Sequence, residues 1–190
     1  MMNPSSENEQ ILQEELKSLS SLVQNLLGMA NEEKDSRDLR RTSFEVVEFL
    51  KVWLAKFCAQ GKCLHRVQLV ADHAIFMELD KWRFQEGMQV LLENAEKYSL
   101  PGAQIRVTLT QREDVVYFEV YDEGRGVAPE NLNKIFEPFF RENQEIPGAG
   151  LGLSLVKKIV ERRGGKIWAE SAQGKWMKIK FWLPVKVSKN

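Results

Sequence analysis

The chain is poor in the residues that build metal centres and disulfide frameworks: two cysteines and two histidines stand among 190 residues. Cys58 and Cys63 form no CxxC motif and have no second pair and few histidines near them, which reads as two buried or idle thiols. That use of cysteine goes with a cytoplasmic location. No apolar stretch approaches the roughly 18 residues of a spanning helix, and no secretory hydrophobic region opens the chain. Neither sign of charge dominates. Lys and Arg number 27 and Asp and Glu also 27, so no overall field gathers nucleic acid or an anionic membrane. Internal repeats and low-complexity segments are absent too. What is present is enough chain for one ordinary domain and an appendage, with 43% hydrophobic residues to fill a core.

Residues 1–8 are polar and read as a disordered start. Leu12, Leu16, Leu19, Val23, Leu26 and Ala30 then recur at alternating intervals of four and three. Ile11, Leu22 and Leu27 widen the stripe, which predicts an amphipathic helix with a bundle-type seam. A lone helix of this length is marginal in water, so its apolar face needs a partner, either the chain's own domain or a second helix. Glu32 to Arg41 is a mixed-charge run without periodicity and reads as a linker, with a domain boundary near residue 40. The chain thus divides into a helical appendage over 9–40 and a domain over 41–186.

Within that domain, Arg41 to Phe44 suits a short edge strand. Glu45 to Gln60 suits a helix, with Val46, Phe49, Leu50, Trp53, Leu54 and Phe57 on one side and Gly61 as its stop. Strands follow at Leu64–Val70 and Ala74–Leu79, then a helix over Asp80–Tyr98. Gln104–Thr110 and Val115–Tyr121 form a hairpin, Pro129 starts a short helix, and Lys166–Ser171 with Lys175–Leu183 close as a hairpin around Gly174.

Three blocks in this frame carry chemistry. Asp122-Glu123-Gly124-Arg125-Gly126 ends an alternating apolar run in two glycines. Glycine lets backbone approach a ligand closely, and a carboxylate there accepts a hydrogen bond from an amine such as that of adenine. Gly148-Ala149-Gly150-Leu151-Gly152-Leu153 opens an apolar-periodic helix to Arg163, and such a helix start seats phosphate on unpaired N–H groups. Asn94, Lys97 and Tyr98, at i, i+3 and i+4, share one helical face. An amide oxygen there suits Mg²⁺ and an ammonium suits phosphate.

Together with Leu91-Leu92-Glu93-Asn94-Ala95-Glu96-Lys97-Tyr98-Ser99, these blocks resemble the ATP-binding catalytic domain of sensor histidine kinases, in the Bergerat-type ATPase superfamily, from about Phe44 to Pro184. The resemblance implies an α/β (α+β) two-layer sandwich, a mixed sheet of about five strands on about three helices, preceded by one amphipathic dimerisation-type helix. It implies that Asp122 reads adenine, with Gly124 and Gly126 giving close backbone approach. Asn94 would hold Mg²⁺, Lys97 with Arg141 would offset phosphate charge, Tyr98 would flank the nucleotide, and Gly148, Gly150, Leu151 and Gly152 would shape the phosphate turn. Asn94 and Lys97 would be the catalytic pair, and ATP and Mg²⁺ the cofactors. Ile135-Phe136-Glu137-Pro138-Phe139-Phe140-Arg141 is similar to the aromatic segment that opens the family's ATP lid and can meet the partner's histidine helix. Leu22-Val23-Gln24-Asn25-Leu26-Leu27 resembles the second helix of the dimerisation module, so residues 11–30 would support a homodimer.

The partners implied are a phosphoacceptor histidine helix outside this chain and, indirectly, a response regulator receiver domain. His65 and His73 are the only histidines, and neither is followed by the acidic-apolar-Arg pattern of a phosphoacceptor. Two departures qualify the resemblance. Val90 stands where the family places a polar residue, and it can neither order water nor accept a proton. Gly174-Lys175-Trp176-Met177 stands where a glycine-x-glycine-Thr/Ser pattern is expected, leaving Trp176 either a core or surface aromatic or an obstacle at the adenine end. A pseudokinase or nucleotide-gated adaptor of the same fold is the alternative, and a serine kinase of the anti-sigma type a third reading.

Overall fold

The computed structural model describes residues 41–63, 66–144, 146 and 148–186. The expected helix over 11–30, the linker and His65 lie outside the described residues. Seven strands and three α-helices follow in the order β1 (Arg41–Glu45), α1 (Val46–Phe57), β2 (Arg66–Ala71), β3 (Phe76–Asp80), α2 (Lys81–Tyr98), β4 (Gln104–Arg112), β5 (Val115–Asp122), α3 (Gly152–Arg162), β6 (Lys166–Ala172) and β7 (Trp176–Pro184). Short 3-10 turns at Pro129–Asn131 and Lys134–Phe136 replace the short helix expected after Pro129.

The strands divide between two sheets. β2-β4-β5-β7-β6 form a mixed five-stranded sheet in which only β2 and β4 run parallel, while β1 and β3 make a separate antiparallel pair. Alternation along the long strands turns one face inward. Its rows run straight across the sheet: Leu109 faces Phe118, which faces Phe181, and Val107 faces Val120, which faces Ile179. All six are buried. Phe118 stacks on Phe181 at 4.6 Å and meets Phe84 of α2 at 5.6 Å, so this cluster joins helix layer to sheet. Among the described residues no helix is long and apolar enough to cross a membrane.

Both helices that follow the β1/β3 pair begin on carboxylate caps, which satisfy N–H groups a helix start leaves open. Asp80 accepts from Trp82 N at 2.9 Å and Arg83 N at 3.1 Å. Glu45 accepts from Val47 N and Glu48 N at 2.9 and 2.5 Å, and also from Ile75 N at 2.9 Å. Burial pushes the Glu45 carboxyl up, but the bonds from Ile75, Glu48 and Val47 outweigh it and hold the group below its ordinary 4.5. A folded-state pKa below the unfolded one contributes stability that is present above the unfolded value and lost as pH falls through the folded one. Acid titration of Tm is therefore expected to show a component below about pH 4.5 in the wild type that Glu45→Gln lacks.

One expectation is corrected here. Cys58 and Cys63 are not idle thiols but a disulfide. After Phe57 the helix widens into a π turn over Cys58–Lys62, and Gly61, at φ 72°, folds the chain back. Glycine accepts that left-handed conformation without steric cost. The Cα atoms of the two cysteines come within 4.7 Å, inside disulfide range.

Candidate functional site

The inward alternation of β5 explains the first site residue. Val116, Phe118 and Val120 point to the core, and Asp122 takes the next position of the same row. Its neighbours across the sheet are Ile105 and Met177. The carboxylate is 6% exposed, on a floor otherwise built of Val120, Met177 and Ile179. A carboxylate that lines a cavity among apolar walls is a hydrogen-bond acceptor suited to a ligand amine.

Above that floor lies a cavity of about 390 Å³, within the usual range for small-molecule sites. α2 supplies Asn94, Lys97 and Tyr98, and the loop and start of α3 supply Gly148, Gly150, Leu151 and Gly152. Arg141 and Gly126 complete the set. The structure thus brings together every expected site residue but one. Gly124 does not line the cavity: it forms a bridge with Ser99 that seats the turn against the end of α2, where Arg125 N donates to Tyr98 O at 3.2 Å.

The cavity is polarised. At its floor lies Asp122; at the loop end lie two cations. Lys97 Nζ is 2.7 Å from the place a side chain on Gly148 would begin, so ammonium and glycine turn share one corner. Burial lowers the Lys97 pKa, and the neighbouring Arg141 guanidinium lowers it further. Tyr98 is shifted the other way, raised by burial despite Arg141. Two like charges held together in a half-buried corner fit an anion. Arg141 Nη2 also donates to Gln144 O and Ile146 O at 2.6 and 2.5 Å, gathering the polar loop.

Gly150 makes that loop possible. Its φ is 70°, and a Cβ there would lie 2.8–2.9 Å from backbone atoms of Phe139 and Phe140. The tight approach is used: Phe139 N donates to Gly150 O at 2.9 Å. In the aromatic segment Ile135 and Phe136 are buried and Phe140 lines the cavity, whereas Phe139, at φ 67°, is 61% exposed. At the far end of α3, buried Arg163 donates to the carbonyl of Glu78 and so fastens that helix to β3. Burial first and Arg41 second bring its pKa down to about 10.

Both departures noted in the sequence now have places. Val90 packs against the start of α3, its Cγ1 2.8 Å from where a Gly152 side chain would begin. Trp176 leaves the cavity free: it lies beside Tyr121 at 6.4 Å with Lys178 over its ring, while Met177 lines the floor. Sequence reasoning missed the apolar lining from Leu91, Val120, Val127, Met177 and Ile179, and the cation Arg125. The phase of the β5 and β7 alternation would have found three of these. Arg125, between two glycines, carried no such signal. Among the described residues no cluster of three His, Cys, Asp or Glu could hold a metal by itself. A Mg²⁺ that keeps waters and phosphate oxygens needs only one or two protein oxygens, and Asn94, which lines the cavity, carries an amide oxygen that could be one.

Comparison with known proteins points the same way. Residues 79–187 match the family described as histidine kinase-, DNA gyrase B-, and HSP90-like ATPase. The sensor histidine kinase WalK of Bacillus subtilis is 27% identical over 183 residues, and the alginate biosynthesis sensor protein KinB of Pseudomonas aeruginosa 31% over 179. Each alignment covers 93% of this chain but 30% of the relative, so the chain spans under a third of their length. The catalytic domain of the histidine kinase ThkA superposes with a TM-score of 0.68 at 28% identity, covering 77% of this chain and 96% of that one. ThkA in complex with the response regulator protein TrrA gives 0.79 at 25% identity, covering 100% and 55%.

Proposed function

The chain belongs to the histidine kinase-, DNA gyrase B-, and HSP90-like ATPase family, and on that premise we propose that it binds Mg-ATP and passes the γ-phosphoryl group to a histidine located outside this chain. The observation that carries this reading is the polarity of the cavity, with Asp122 on the apolar floor and Lys97 and Arg141 at the glycine loop. Asp122 accepts from the exocyclic amine of adenine. Lys97 and Arg141 meet the phosphates, whose charge relieves the repulsion between them. The Asn94 oxygen would hold the metal, and the glycine turn at the start of α3 would give backbone N–H groups to phosphate oxygens. ATP supplies the phosphoryl group; for such transfer, positioning and charge neutralisation carry most of the rate.

Val90 shapes the reaction by what it lacks. A valine gives no base for water, so steady hydrolysis is suppressed and the phosphoryl group awaits another acceptor. Phe139, exposed on the segment beside the loop, is suited to meet the acceptor helix. A response regulator would receive the group afterwards, residues 11–30 would pair two copies, and residues 41–186 would act as one catalytic unit in the cytoplasm. The same valine favours a second reading, a nucleotide-gated adaptor without transfer.

The test is charge-selective. Lys97→Met is expected to weaken ATP binding about tenfold while leaving adenosine binding within about twofold, since the ammonium faces phosphate and not base. Equal losses for both ligands in a calorimetric titration would place the phosphates elsewhere. Phosphate appearing on a supplied histidine helix would separate kinase from adaptor.

A further inference from the structure

The disulfide Cys58–Cys63 has no part in the cavity, whose lining begins at Val90. It closes the π turn between α1 and β2, and among the described residues β2 is an edge strand paired with β4. Both cysteines are half-buried with one side against the core, while Ala59, Gln60 and Gly61 between them are exposed. The bond therefore lies at the edge of the core, beneath an exposed turn. A domain that uses ATP, as proposed above, works where cellular dithiols keep thiols reduced, and a disulfide there is as a rule transient and redox-sensing.

We propose that Cys58–Cys63 is a thiol-exchange site, a clasp on the α1–β2 connection that cellular dithiols open and disulfides close. In opening, a donor thiolate attacks one sulfur and the other leaves as a thiolate. The donor's second thiol then displaces the mixed disulfide. The donor departs oxidised, and Cys58 and Cys63 take up two electrons and two protons. Closing is the reverse exchange with a disulfide such as oxidised glutathione. The inference rests on the proposed function for its compartment, while the exchange itself uses no nucleotide. The clasp restrains the unfolded chain and the glycine at φ 72°, so its loss loosens this end of α1 and the β2 edge.

The experiment uses the full chain, with dithiothreitol as the dithiol probe and iodoacetamide trapping followed by intact mass. Oxidised protein should take up no label. After dithiothreitol under native conditions it should take up two, with Tm lower by about 5 °C and faster hydrogen exchange over 54–71. The double variant Cys58→Ser, Cys63→Ser should show the lower Tm and ignore the reductant. ATP titrations of both forms run alongside, so a failed clasp and a failed nucleotide site read out separately. Labelling of both thiols without reductant, a bond that opens only on denaturation, or equal Tm values would each overturn the proposal.

Discussion

Asp122→Ala is expected to weaken ATP binding by roughly 30- to 150-fold, the worth of about 2–3 kcal/mol for a hydrogen bond to a charged group. The reason lies in the floor of the cavity, where this carboxylate stands among Val120, Met177 and Ile179. With those walls apolar, no neighbour on the floor can take over the adenine amine. The variant should keep its fold: the position ends an otherwise hydrophobic row of β5, where alanine fits. Calorimetry gives the affinity and a melting scan the stability. A variant that still binds ATP like the wild type would remove Asp122 from recognition; one that fails to fold would show the carboxylate to be structural.

Phe118→Ala is expected to cost about 3–5 kcal/mol of stability, the largest single-residue effect on the fold. Phe118 is 1% exposed, stacked on Phe181 and in contact with Phe84, so its removal leaves a cavity where sheet and α2 meet. Neighbours on two strands and a helix cannot all collapse inward to fill it, which places the cost high in that range. Denaturant unfolding monitored by circular dichroism measures it, and a loss below about 1 kcal/mol would mean the site repacks freely.

Much of the fold was legible because its signals are periodic. The strands from β4 to β7 and the helices α1 to α3 follow alternation or helical spacing, and the structure matches them to within a few residues. Asp122, Lys97 and the glycine turn were legible as motifs, and they do converge on one cavity. Three things were not legible. The separation of β1 and β3 from the main sheet depends on long-range pairing that local pattern does not encode. The bond between Cys58 and Cys63 depends on a helix widening by one residue around Gly61, a conformation no cysteine motif announces. The direction of Trp176 depends on strand phase: opposite Ala172 and next to Met177, it must face away from the floor that Met177 lines.

The most direct measurement is titration of the wild-type chain with ATP in the presence of Mg²⁺, followed by calorimetry. The account predicts one-to-one saturable binding that weakens when Mg²⁺ and phosphates are both withdrawn and that falls with Asp122→Ala. Absence of binding at millimolar ATP would contradict it, leaving a fold of this family kept for something other than the nucleotide.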